Sequence, residues 1–194
     1  MKLVCIGDSM IDGYPYARSE SFPAELERLT GWKVINAGIS GQSSSEVLAR
    51  FPRAMKQRPD AVMILCGTND YIFGICGSEE TFENIAEMVR AAERGGAAPV
   101  ICFPILCDPV SAAASWAGIT EGEFAQANEE LKKLRENLKH YCGKNGVRYI
   151  DLQEWYKSIA CYCDGLHPTR EGYRMIGEKA AEELSSAGGR VNEK

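Results

Sequence analysis

Five short apolar runs, each separated from the next by a stretch of helical periodicity, constrain this chain more than any other feature. The clearest is Asp60-Ala61-Val62-Met63-Ile64-Leu65-Cys66-Gly67, continuous and closed by glycine. The others are Lys2-Leu3-Val4-Cys5-Ile6, Lys33-Val34-Ile35-Asn36-Ala37, residues 99–104 and Val147-Arg148-Tyr149-Ile150. Runs without polar alternation suit strands buried on both faces. Between them, residues 22–30 place Phe22, Leu26 and Leu29 on one side, with Gly31 as the stop. Ser43 and Glu46 form an S-x-x-E capping pattern ahead of Val47, Leu48, Phe51 and Met55, and Pro52 is expected to kink that helix. Residues 79–94, 121–142 and 169–185 carry further helical faces, whereas residues 105–120 show no clean period. Alternating strands and helices predict an α/β fold of three α/β/α layers around a five-stranded parallel sheet with right-handed crossovers. A flavodoxin-like 2-1-3-4-5 order is the expected topology, with one domain over residues 1–187 and a polar tail over 188–194. In that fold every strand-to-helix loop opens on the same edge of the sheet.

Composition removes several classes of function. A formal charge of −5, with Lys132-Lys133 the only adjacent basic pair, argues against a nucleic-acid partner, because phosphate binding needs clustered bases. No apolar run approaches the roughly 18 residues of a membrane span. The N-terminus reaches Gly7-Asp8 with no signal-peptide core before it, so a cytoplasmic location is expected. Of the eight cysteines, Cys5, Cys66, Cys102, Cys107 and Cys142 lie in or beside apolar segments. They read as reduced thiols in the core rather than disulfides. Oligomeric state is not readable.

Ser9 follows the first run in Ile6-Gly7-Asp8-Ser9-Met10, at the edge where open α/β sheets bind ligands. A serine hydroxyl is a poor nucleophile unless a base takes its proton and donors receive the oxyanion. Only two histidines are present. His140 lies near the end of an amphipathic helix, where a cation suits the dipole. His167 lies in Asp164-Gly165-Leu166-His167-Pro168, just before the final helix. Asp164 can turn back on the imidazole and fix its tautomer, and Pro168 stiffens the loop. Alone, D-x-x-H is short and common and reads as a turn beside a surface histidine; its combination with Ser9 gives it catalytic meaning.

Gly7-Asp8-Ser9-Met10 resembles the first block of the GDSL or SGNH hydrolases. Residues 36–44, from Asn36-Ala37-Gly38 to Ser43-Ser44, resemble their second, Gly67-Thr68-Asn69-Asp70 their third, and Asp164-Gly165-Leu166-His167-Pro168 their fifth. The blocks stand in family order from residue 7 to residue 168, with Met10 where the family name implies leucine. An unbranched thioether is a tolerable replacement there. The resemblance implies an SGNH hydrolase fold and a serine esterase without a cofactor. Ser9 would be the nucleophile, His167 the base and then the acid, and Asp164 the orienting carboxylate. The oxyanion hole would join the backbone N–H groups of Ser9 and Gly41 to the Asn69 amide. Glycine at 41 is expected because a Cβ would obstruct a ligand; Gly38, the competing choice, reads as a turn glycine. Asp8 and Asp70 read as loop-fixing acceptors.

Three rival readings remain at this point. Cys161-Tyr162-Cys163 with His167 and Asp164 suggests a metal site, but C-x-C is tighter than usual zinc spacing, so none is expected. A flavodoxin-like module could cradle an anion or nucleotide on Gly38-Ile39-Ser40-Gly41-Gln42, although no phosphate-loop signature is present. Acyl transfer to an alcohol would use the same triad. The expected partner is a small ester, such as an acetylated carbohydrate or short-chain ester, with lysophospholipids and thioesters as alternatives. Tyr14, Tyr16, Phe73, Ile75 and Trp116 flank the site as wall residues or as ordinary packing.

Overall fold

The computed structural model describes residues 1–153 and 162–186. Cys161 and the tail over 188–194 lie outside them. Five strands, β1 (Lys2–Gly7), β2 (Lys33–Gly38), β3 (Ala61–Leu65), β4 (Ala98–Phe103) and β5 (Arg148–Asp151), form one sheet in the order β2-β1-β3-β4-β5. Every pairing is parallel. Strand periodicity divides the core in two. Leu3 and Cys5 of β1, with Met63 and Leu65 of β3, pack beneath α2 (Phe22–Thr30) and the final helix α8 (Arg170–Ser186), through Phe22, Leu26, Tyr173 and Ile176. Val4, Ile6, Val62 and Ile64 point the other way, toward α3 (Ser44–Met55), α5 (Ser78–Arg94) and α7 (Glu121–Asn145). Both faces of the central strands β1 and β3 are therefore buried, which is why those two read as continuous apolar runs, while the edge strands β2 and β5 are partly exposed.

Helix ends follow local chemistry. Ser43 caps α3 in the full reciprocal box with Glu46, and Thr120 and Glu123 do the same for α7. Gly31 ends α2 in the left-handed conformation. The α3 helix continues past Pro52 to Met55 and buries Val47, Phe51 and Ala54. Leu29 departs from expectation: it is 42% exposed, and α2 buries Phe22, Pro23 and Leu26 instead.

Three short helices have no counterpart in the sequence reading. They are α1 (Ser9–Asp12), directly after β1, α4 (Thr68–Ile72), after β3, and α6 (Pro109–Ser115), inside the supposedly irregular stretch. The first two span little more than one turn, too few residues for periodicity to register. In α6 only Ala112 is buried, so no apolar stripe marks it. Proline at its first position fits a helix start.

Candidate active site

The sheet order reverses between β1 and β3, and in open α/β sheets ligands bind at that switch point. Ser9 begins α1 at the end of β1, and Asn69 lies in the first turn of α4 beyond β3. Two glycines allow this approach. A Cβ on Gly7 would fall 1.8 Å from the Leu65 carbonyl oxygen, and one on Gly38 would fall 2.2 Å from the Asp12 nitrogen. Gly38 is therefore a close-packing residue at the end of β2 rather than the turn glycine expected.

His167 comes from the segment before α8, and two backbone ties hold that segment. The Cys163 N–H donates to the His167 carbonyl at 2.9 Å, forming the antiparallel bridge between Tyr162 and Pro168, and the Asp108 N–H donates to the Gly165 carbonyl at 2.8 Å. Gly165 adopts φ +81°, and a Cβ there would lie 2.1 Å from the Ala112 nitrogen, so α6 packs directly on the loop. The Asp164 Oδ1 accepts from the N–H groups of Leu166 at 2.9 Å and His167 at 2.7 Å. Its Oδ2 lies 2.8 Å from His167 Nδ1. On the far side of the ring, His167 Nε2 lies 2.8 Å from Ser9 Oγ, across 158 residues of sequence. Burial pushes the Asp164 carboxyl toward a higher pKa. Hydrogen bonds from the His167 ring and backbone outweigh that and hold it below the usual range. An ionised carboxylate on Nδ1 leaves Nε2 as the basic nitrogen facing the hydroxyl.

Gly41 has a backbone reason of its own: its φ is +83°, and a Cβ would meet no protein atom within 4 Å, which leaves the space beside it open for a ligand. Among the described residues, the N–H groups of Ser9 and Gly41 find no acceptor within the protein. The Asn69 Nδ2 donates to the Gln42 carbonyl at 2.9 Å, which fixes the amide and leaves its second hydrogen free. The loop carrying Gly41 is braced from outside. Ser40 Oγ donates to Asp12 Oδ2 at 2.8 Å, Arg18 binds the other Asp12 oxygen at 2.7 Å, and the Arg50 Nε donates to the Gln42 side chain. Nothing in the sequence reading pointed to Asp12, Arg18 or Arg50, because each acts through loop contacts that have no periodic signature.

The two remaining acids of these blocks have separate tasks. Asp8 is buried and caps α1 by accepting from the Met10 N–H at 3.0 Å, while its Oδ2 has no partner. Burial raises its pKa to about 7, against the pull of the Met10 hydrogen bond and the His167 charge. Asp70 receives the Ser44 N–H at 2.9 Å and the Ser44 hydroxyl at 2.6 Å, which locks the start of α3 to α4.

A pocket of about 300 Å³ opens beside Ser9 and His167. Tyr14, Phe73 and Trp116 line it, joined by Met10, Ile72 and Leu166. The Tyr14 ring lies 4.8 Å and the Trp116 ring 5.8 Å from the imidazole, centre to centre. Tyr16 and Ile75 are not in the wall; Tyr16 packs edge-on against Tyr173 and beneath Arg170. The Leu166 contribution was legible only as a letter inside the histidine block. Among the described residues no three His, Cys, Asp or Glu side chains gather as a metal-ligand set, and their seven cysteines are free thiols. No helix among them is long and apolar enough to cross a membrane.

Comparison with known proteins gives this geometry its family. A thioesterase 1/protease 1/lysophospholipase L1 of Escherichia coli K12 is 38% identical over 187 residues, covering 94% of this chain and 82% of that protein. An arylesterase of Vibrio mimicus is 29% identical over 191 residues, covering 94% and 88%. A solved lipase/acylhydrolase from Enterococcus faecalis superposes with a TM-score of 0.79 over 95% of both chains at 24% identity, a likeness of fold. The model of the GDSL-like lipase/acylhydrolase family matches residues 5–175, so this chain, with the fold those hydrolases share, belongs to that family.

Proposed function

We propose that this protein is a serine ester hydrolase that cleaves a small ester with an apolar acyl or aryl part through an acyl-enzyme. The observation that carries the reading is the unbroken chain from Ser9 Oγ to His167 Nε2 and from His167 Nδ1 to Asp164, both links at 2.8 Å. In the first step His167 Nε2 takes the Ser9 proton while Oγ bonds to the ester carbonyl carbon. The carbonyl oxygen becomes an oxyanion, received by the N–H groups of Ser9 and Gly41 and the free Asn69 amide hydrogen. Collapse breaks the ester C–O bond, and the imidazolium gives its proton to the departing alkoxide. Water then repeats the sequence against the acyl-serine, with His167 as base, and returns Ser9 to its free form. Asp164 remains ionised throughout and stabilises the imidazolium.

Size and lining support the substrate class. At about 300 Å³ the pocket sits at the small end of ligand sites, and its wall is chiefly aromatic and aliphatic. Such a wall suits a short acyl or aryl group better than a carbohydrate, which brings hydroxyls that need partners. A series of p-nitrophenyl esters tests this directly: kcat/KM is expected to peak at short acyl chains. Highest activity on long-chain esters, or on acetylated sugars alone, would overturn the substrate class.

A further inference from the structure

A second cavity, of about 340 Å³, lies on the outer edge of the sheet between β2 and α3. Its wall carries Arg18, Arg50, Arg53 and Gln57, and no acidic side chain. Elsewhere in this acidic chain most arginines are neutralised: Arg28, Arg90, Arg94, Arg135, Arg170 and Arg174 each lie within ion-pair distance of a carboxylate, whereas, among the described residues, Arg58 and Arg148, far apart in sequence and not in this wall, do not. Arg50 and Arg53 have no such partner among the described residues, and of the three only Arg18 is paired, with Asp12. Glu46, one turn before Arg50, is occupied by the Ser43 cap.

Arg50 forms part of the cavity wall while it is itself partly buried. Its guanidinium donates to Gln42, to the Ala37 carbonyl at 2.6 Å and to the Gly7 carbonyl at 2.6 Å. Three of its five N–H groups are thus spent on neutral acceptors, and the Asp8 and Glu46 carboxylates act on its charge without pairing with it. Arg18 closes the edge of β2 by donating to the Gly38 carbonyl at 2.8 Å, a structural duty. Arg53, one turn beyond Arg50, is exposed and has no hydrogen bond or ion pair among the described residues. Arg53 thus brings a planar fork with free donors to the cavity that Arg50 also lines, a donor set that suits the oxygens of a phosphate.

We propose that this cavity binds a small phosphate-type anion, either inorganic phosphate or a soluble phosphate monoester, at a site separate from the ester pocket. The two pockets share no lining residue. The test is a titration of the ¹⁵N-labelled protein with inorganic phosphate, and separately with glycerol 3-phosphate, at constant ionic strength. The expected result is a saturable set of amide shifts centred on Ile35, Ala37, Arg53 and Ala54, from either probe. The tighter of the two identifies the free anion or the monoester. Arg53→Glu is expected to weaken that binding by about tenfold or more, since it replaces a charge-assisted donor with a repelling charge. Its unchanged rate of ester hydrolysis would report an intact fold. Three results would overturn the proposal: no saturable shift, shifts equal in Arg53→Glu and the parent, or shifts centred on Ser9, Gly41 and Asn69.

Discussion

At the scale of single residues, the roles proposed for the site differ in how much each substitution should cost. Ser9→Ala and His167→Ala each remove a member of a cooperating unit, so turnover should fall by roughly 10⁴ to 10⁶. Asn69→Ala removes one oxyanion donor and should cost about 10² to 10³ in kcat, with KM changed little. Steady-state kinetics on one short p-nitrophenyl ester measures all three; an Asn69→Ala loss confined to KM would contradict the assignment. Asp8 makes a prediction of a different kind. The unfolded chain releases this proton near 3.8, whereas the folded protein keeps it until about pH 7. The contribution of Asp8 to stability is therefore intact below about pH 4, declines as pH rises to about 7, and is constant above that. Asp8→Asn, which removes the ionisation, should gain stability relative to the parent across that window, by on the order of 2–4 kcal/mol at pH 8. Urea denaturation at pH 5 and pH 8 checks it, and a variant less stable at pH 8 than at pH 5, relative to the parent, would refute it.

At the scale of elements, the site depends on two tight turns that glycine alone permits without strain. Gly41 holds φ +83° beside open space, so Gly41→Ala strains the loop without a clash. A left-handed non-glycine residue costs roughly 1–2 kcal/mol, which the loop can relieve by turning the N–H away from the proposed oxyanion position. The expected outcome is a drop in kcat with nearly unchanged melting temperature. Gly165→Ala differs, because its Cβ would collide with the α6 backbone at Ala112. That variant should lose both activity and thermal stability, as seen in a melting curve alongside the assay. If Gly165→Ala matched the parent in both, the packing of α6 on the histidine loop would be unimportant. Legibility divides along the same line. The five strands and five longer helices were readable because each repeats its apolar residues over enough positions to set a period. The short helices α1, α4 and α6 were not, since about one turn or a single buried alanine leaves no period to read. Gly38 was read as a turn glycine but is needed for a close contact, and the positive φ of Gly41 was not foreseen: sequence reveals that a glycine is needed, but only backbone geometry separates a positive φ from a close contact.

At the scale of the whole molecule, the parallel sheet does the gathering. Ser9, Gly41, Asn69 and His167 come from four separate segments, two of them short helices, yet parallel strands deliver all of them to one edge. That convergence was inferable from strand–helix alternation, and the blocks at residues 7, 36, 67 and 164 marked which loops to compare. The supporting shell was not inferable. Arg50 and Arg18 sit on different elements and brace the Gly41 loop through backbone carbonyls and side chains distant in sequence. The pocket wall was partly readable: Tyr14, Phe73 and Trp116 do line it, whereas Tyr16 is drawn off by Tyr173 and Arg170. Aromatics in loops pack against whatever the tertiary structure brings near, which local sequence does not record.

The most direct measurement is covalent labelling with a fluorophosphonate, followed by intact-mass analysis and peptide mapping. A serine relieved of its proton by His167 should take up one adduct per chain, on Ser9, and His167→Ala should label far more slowly. An unlabelled protein, an adduct on another residue, or equal labelling rates with and without His167 would contradict the account.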